Sequence, residues 1–173
     1  MFEPYDPAPS PHLHRIAYQV RAAHTTDVAA VAELWHAREP LGPARPHDVA
    51  RWLADANEVV LVAQEERGVG LLGYGRASLQ SERPGCPGGW YLTGLVVAPE
   101  ARRQGVGRSF TQSRLEHLRA RGAERCRFVT NAANLSSIAL HTELGFEIEA
   151  ELDSFPGVRF EGGRGALYLI SLR

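Results

Sequence analysis

Polar and apolar residues alternate over Tyr18-Gln19-Val20-Arg21-Ala22, the period-two pattern of a half-buried strand. Thr25, Thr26 and Asp27 supply helix-capping chemistry ahead of Val28, Val31 and Trp35 at helical spacing, and Glu39-Pro40-Leu41-Gly42-Pro43 breaks that helix. Pro46 opens a second short helix through Val49, Trp52 and Leu53. Glu58 to Gln64 reads as a strand, Arg67-Gly68 as a turn, and Leu71 to Leu79 as the returning strand of a hairpin. Trp90 to Val97 is mostly apolar and β-rich, as a central strand is. Over Gly107 to Arg121, Val106, Phe110, Thr111, Leu115 and Leu118 fall on one arc of a helix, with Arg114 intruding. A strand at Arg127–Thr130, a helix at Ser136–Leu144 and strands at Phe146–Leu152 and Ala166–Leu172 complete the order βααβββαβαββ. Residues 15–173 are expected to form a single α/β domain. Residues 1–14 carry Pro4, Pro7, Pro9 and Pro11, which leaves a Pro-rich N-terminal tail.

Composition narrows the function classes. The chain has 173 residues with 44% hydrophobic positions, enough for one well-filled core, and a net charge of −1. That balance argues against nucleic acid as a partner, because phosphate backbones reward clustered positive charge. All 19 basic residues are arginine, which excludes a P-loop lysine, a Schiff-base lysine and a lysine base. Cys86 and Cys126 form neither a disulfide framework nor a metal-spaced pair, and His12 and His14 have no third ligand nearby, so no metal is expected. No apolar run is long enough to span a bilayer, and the N-terminus lacks a signal-peptide pattern. The expectation is a cytoplasmic protein without membrane contact.

Two glycine-rich segments compete for phosphate binding. Gly68-Val69-Gly70-Leu71-Leu72-Gly73 fits GxGxxG in letters, but a dinucleotide site needs a strand before it and a helix after it. Here both flanks are strands, and these glycines read as turn and bulge residues. The second segment, Leu95-Val96-Val97-Ala98-Pro99-Glu100-Ala101-Arg102-Arg103-Gln104-Gly105-Val106-Gly107, leaves a strand and enters a helix at its glycines. There the orphan backbone N–H groups and the helix dipole face an anion. Arg102, Arg103 and Arg108 crowd the same positive end, a conflict that an intervening anion resolves.

Arg102-x-x-Gly105-x-Gly107 after an LxVxP strand resembles the acetyl-CoA loop of the GNAT N-acetyltransferases. Asn134-Leu135-Ser136-Ser137-Ile138-Ala139-Leu140-His141-Thr142-Glu143-Leu144-Gly145-Phe146 is similar to a second segment of that family. The resemblance implies a GNAT fold: a mixed central sheet with helices on both faces and splayed central strands forming the acetyl-CoA cleft. It places that opening between the strands at 90–97 and 127–130. Leu95, Val96 and Val97 would then pair with pantetheine amides. Arg102, Arg103, Gln104, Gly105, Val106 and Gly107 would hold the pyrophosphate, with Arg108 and Ser109 nearby. Asn134 and His141 would approach the cofactor, Asn134 having helix capping as its structural alternative. The implied reaction is attack of a neutral amine on the thioester, with thiolate leaving.

Two positions depart from the commonest family pattern. His141 stands where many members carry the tyrosine that protonates the thiolate; histidine has the pKa for that work, and a packing role is the alternative. Gly94 stands where many members carry a strand glutamate, so the general base is unknown. Glu33, Glu39 and Glu82 each read as surface acids, and Tyr91 and Thr93 are the strand residues placed to hold a water. The acceptor wall maps to His36–Pro46 and Asp153–Gly163, with Trp35, Trp52, Trp90, Phe155 and Phe160 as apolar lining. Glu33, Glu39, Glu82 and Asp153 would attract a cationic amine. The expected partner is a small-molecule amine, aminoglycoside-like or other, with homodimerisation left open. A non-catalytic CoA-binding module and a protein or peptide acetyltransferase are the alternatives.

Overall fold

A computed structural model of the chain describes residues 16–38, 45–68 and 70–173. The Pro-rich tail, Glu39 and the rest of the 39–44 stretch lie outside the described residues. The strands are β1 (Tyr18–Ala22), β2 (Glu58–Glu65), β3 (Leu71–Gln80), β4 (Gly89–Val97), β5 (Arg125–Asn131), β6 (Glu147–Leu152) and β7 (Gly165–Ser171). The helices are α1 (Val28–Arg38), α2 (Pro46–Ala54), α3 (Val106–Ala120) and α4 (Leu135–Glu143). The element order is the one expected. The strands hydrogen-bond in the order β1-β2-β3-β4-β5-β7-β6, a mixed seven-stranded sheet in which β4 and β5 are parallel. Among the described residues no helix is long and apolar enough to cross a membrane.

The chain divides into two compact units, with the break running through β4 and α3. One holds residues 16–78 and Thr93–Arg114. Its β1, β2 and β3 are antiparallel, with a register shift at Ala63/Gln64 opposite Gly73. Gly73 lies in β3 at that shift, the bulge role expected for it, and Gly68 and Gly70 lie between β2 and β3. A Cβ on Gly73 would stand 2.3 Å from the Val96 carbonyl oxygen, and one on Gly75 would stand 3.2 Å from the Phe110 ring. These bare positions let α3 lie close on the sheet, with Phe110 fully buried; burying such a ring is worth about 1.5–3 kcal/mol. In another core cluster, Val31, Ala32 and Val49 from α1 and α2 pack with Val62, Tyr74 and Val96 from the strands.

Thr25–Asp27 form a 3₁₀ turn leading into α1 with His24 at its N-cap, and of the three expected capping residues Asp27 supplies a capping-box bond. Asp27 accepts from the His24 backbone N–H at 2.7 Å and from both Arg21 guanidinium nitrogens at 2.7 and 3.0 Å. Arg21 on β1 therefore claims the carboxylate and holds its pKa below the usual aspartate value.

The second unit holds Leu79–Leu92 and Leu115–Arg173. Here β7 pairs antiparallel with both β5 and β6. The β4–β5 ladder runs over Trp90↔Cys126 and Tyr91↔Arg127. Cys86, Tyr91 and Leu167 form a buried cluster with Val129, Ala150, Leu152 and Phe155 against it.

Candidate active site

In the first unit, the chain leaves β4, makes a 3₁₀ turn over Pro99–Ala101 and enters α3 at Val106. Between them Arg103 has φ +62° and Gly105 φ +85°. These two left-handed residues flank Gln104 just ahead of the helix N-terminus, whose first-turn N–H groups have no intrahelical acceptor. The loop is braced from both sides. Arg102 Nε donates to the Val97 carbonyl at 3.2 Å, and Gln104 Nε2 donates to the Glu100 carbonyl at 2.8 Å. Gln104 Oε1 accepts from the Ile16 backbone N–H at 2.8 Å, and Ser109 Oγ meets Tyr18 OH at 2.9 Å. The Gln104 amide and the Ser109 hydroxyl thus fasten β1 and the residues before it to the loop. Arg102, Arg103, Gly105 and Arg108 are exposed, while Val106 is buried beneath the turn.

The strand that feeds this loop is distorted at the position of the family glutamate. Gly94 is exposed and has φ +46°, with the space a Cβ would take lying 3.4 Å from the Tyr74 ring. A left-handed backbone disfavours a side chain at this position. Arg114 fixes the distortion from below. It is 1% exposed, on the buried arc of α3 where the sequence shows a lone intruding charge. Its Nη1 donates to the Arg76 carbonyl at 2.8 Å and reaches the Thr93 carbonyl at 3.4 Å. Its Nε and Nη2 bond the Phe110 carbonyl and Thr111 Oγ1, each at 3.2 Å. The intrusion is a clamp between α3, β3 and β4.

Nothing in the chain's pattern singles out Glu58, the first residue of β2. It sits opposite Ser78 in the β2–β3 register, so the two side chains share a face. Arg76 Nε lies 3.1 Å from Glu58 Oε2 and donates to Thr93 Oγ1 at 3.2 Å, while Ser78 Oγ is 3.5 Å from the same threonine oxygen. The Arg76 guanidinium lies 4.2 Å from the centroid of the Trp52 ring. The Glu58 side chain is 12% exposed. Burial raises its pKa to about 7, with Asp55 adding to the rise and Arg76 opposing it. The available signal is a glutamate opening an otherwise apolar strand, but its partners lie far away in sequence and only the sheet register unites them.

The remaining acids and aromatics distribute as follows. Glu33, Glu82 and Asp153 are exposed. Tyr91 is not placed to hold a water: its hydroxyl donates to the Pro87 carbonyl at 2.7 Å, its ring packs on Phe155, and burial raises its pKa. Trp35 and Trp52 pack on each other at 4.8 Å, the core role that is the default for such residues. Trp90 lies 5.6 Å from the Arg121 guanidinium, and Phe160 is buried beneath Gly165.

In the second unit, Asn134 caps α4, its Oδ1 accepting from the Ser137 N–H at 3.3 Å. The capping alternative is therefore realised through the oxygen, and the amide NH₂ is the part that a cofactor role would use. His141 is 4% exposed and stacks on Phe128 with centroids 3.9 Å apart. Its Nδ1 lies 2.7 Å from the Ser137 carbonyl. A carbonyl only accepts, so Nδ1 carries the proton in this contact.

The model of the acetyltransferase (GNAT) family matches residues 28–146. The aminoglycoside N(6′)-acetyltransferase type 1 of Klebsiella aerogenes is 31% identical over 147 residues, 79% of this chain and 93% of that protein. The chain belongs to the GNAT acetyltransferase family. It is accordingly an N-acetyltransferase, and the fold agrees. An N-acetyltransferase of Staphylococcus aureus Mu50 superposes with a TM-score of 0.75 at 18% identity, covering 91% of this chain and 99% of that one. A phosphinothricin acetyltransferase of Sinorhizobium meliloti, solved in complex with AcCoA, superposes with a TM-score of 0.72 at 24% identity, covering 89% and 88%.

Proposed function

We propose that this GNAT enzyme transfers the acetyl group of acetyl-CoA to a primary amine of a small molecule, and that aminoglycosides are the first class to test. The observation that carries the reading is the Arg102–Ser109 loop. Left-handed Arg103 and Gly105 lead the backbone into the N-terminus of α3, and Arg102, Arg103 and Arg108 are exposed at the same end. A diphosphate there would accept from N–H groups of the first helical turn and meet the positive charge of the arginines. The edge of β4 at Leu95, Val96 and Val97 supplies main-chain groups for the pantetheine amides, an added-strand mode of recognition. The substrate class is suggested by the Klebsiella relative, and it suits a chain whose acids at Glu33, Glu82 and Asp153 lie exposed to a polycation.

Bringing amine and thioester together supplies much of the acceleration. The amine must lose a proton before it attacks, and the departing thiolate must gain one. His141 suits the second of these steps. With Nδ1–H held by the Ser137 carbonyl, a protonated ring delivers its proton from Nε2. The test is calorimetry with acetyl-CoA followed by an assay of free thiol release. The amines are an aminoglycoside bearing a 6′-amine and a short peptide with a free N-terminus. Acetyl-CoA binding and aminoglycoside-dependent thiol release are expected, with His141→Phe keeping its affinity for acetyl-CoA and losing about 100-fold in kcat. Release with the peptide alone would overturn the substrate class, and absence of acetyl-CoA binding would overturn the whole reading.

A further inference from the structure

The family membership leaves this chain without an assigned proton acceptor, and Gly94, where the family glutamate would stand, has no side chain. A replacement must be a group that is largely buried, still reached by solvent, ionisable near neutrality, and close to the part of β4 that precedes the proposed thioester-binding edge. Glu33 and Glu82 are exposed and belong to no such cluster. Glu58 meets each requirement. Its carboxylate faces Arg76, which in turn bonds Thr93 Oγ1, two residues before Leu95 on the same strand.

We propose that Glu58 accepts the proton of the incoming ammonium, directly or through one water held by Thr93 and Ser78, with Arg76 as its positioning residue. This inference rests on the acetyltransferase reading above. The ammonium gives one proton to the Glu58 carboxylate and becomes a neutral amine. The nitrogen lone pair then forms the N–C bond at the thioester carbonyl. Collapse of the tetrahedral intermediate breaks the C–S bond, and sulfur departs with the electron pair. The nitrogen's second proton is lost as the thiolate is protonated to the free thiol. Glu58 returns its proton to solvent, so one proton is released per turnover.

The surroundings fit this role. A solvated glutamate is ionised at neutral pH but is too weak a base to take a proton from an ammonium; one raised towards neutrality is better matched. The groups facing Glu58 are Arg76 from β3, which favours the carboxylate, and Asp55 at the end of α2, which disfavours it. Arg76 is itself held in place by the Trp52 ring and Thr93, so the pair keeps a fixed geometry on one face of the sheet. Trp52 belongs to α2, the helix that follows the His36–Pro46 stretch expected to wall the acceptor.

The experiment measures kcat/KM for the amine from pH 5.5 to 9 in the native chain, Glu58→Gln and Arg76→Gln, with acetyl-CoA affinity read separately by calorimetry. Glu58→Gln is expected to bind acetyl-CoA within twofold of the native chain, to lose about 100-fold in kcat/KM at neutral pH, and to lose the acid-side inflection. Arg76→Gln removes the cation that favours the carboxylate, so its inflection moves to higher pH. A merely structural pair would not move that inflection. If Glu58→Gln keeps the native rate and the native acid limb, or if the Arg76→Gln inflection stays where it was, the assignment is wrong while the acetyltransferase reading stands. A native chain that fails to bind acetyl-CoA would instead remove the reading on which it depends.

Discussion

At Gly94 the backbone decides which chemistry a position can host. A side chain at φ +46° costs about 1–2 kcal/mol, although the added Cβ would meet the Tyr74 ring at an ordinary contact distance of 3.4 Å. Gly94→Ala is therefore expected to lower unfolding stability by about that amount in a urea titration, although the residue is exposed. An unchanged midpoint would mean that the strand relaxes and that a carboxylate was sterically allowed there. Glu58 is the reverse case, a side chain whose surroundings change its charge. Unfolded, it titrates near 4.5; folded, at about 7. Between those values the folded chain binds the additional proton, so this group's contribution is fully present below pH 4.5 and is lost as pH rises through 7. Urea midpoints taken at pH 5 and pH 8 should fall with pH by less in Glu58→Gln than in the native chain. Identical slopes would show that the carboxylate titrates normally when folded.

At the scale of elements, α3 shows how a broken pattern can be the informative part of a sequence. Its buried arc is legible from Val106, Phe110, Leu115 and Leu118, and Arg114 looks like an imperfection. In the fold that arginine collects carbonyls from both β3 and β4, giving buried acceptors a partner. Arg114→Met keeps much of the length and loses the donors, so those carbonyls forfeit their hydrogen bonds. A loss of about 2–4 kcal/mol is expected, with faster amide exchange at Leu95–Val97; unaltered exchange would separate the clamp from the strand it is argued to hold. The strands are readable because alternation and turn residues are local: β1 matches its expected span residue for residue, and α4 and β7 match within one residue. The phosphate-type loop is readable for the same reason, since Arg102 to Gly107 carry both the turn and the charge. Glu58 is not, because its meaning depends on Arg76, Thr93 and Trp52, which sheet pairing and helix packing bring together from distant stretches. Asp27 is legible only in part: its carboxylate caps the His24 N–H, as its place in the chain suits, and it is also held by a cation on β1 that the local pattern does not show.

Over the whole molecule, 19 arginines nearly cancel against the acids to leave a charge of −1. Long-range attraction of an anion is therefore weak, and affinity for a diphosphate must come from the Arg102–Ser109 loop itself. This has a measurable consequence for stability. A ligand that binds only the folded chain at a hundred times its Kd adds about 2.7 kcal/mol. For a chain of this size each kcal/mol raises Tm by about 2–4 °C, so saturating acetyl-CoA should raise it by about 5–11 °C. Arg102→Gln with Arg103→Gln keeps the backbone N–H groups and removes two cations, together with the Arg102 Nε bond to the Val97 carbonyl. If those side chains contribute a tenfold factor in Kd, the same concentration of acetyl-CoA loses about 1.4 kcal/mol of stabilisation, or about 3–6 °C of the shift. Because the lost part is a screened charge interaction, the gap between native and double variant should narrow as salt rises from about 50 to about 500 mM, while the backbone part persists. A gap that is absent at low salt would assign the affinity to the glycine-lined backbone alone, and one that does not narrow would mean that the arginines act through geometry instead of charge.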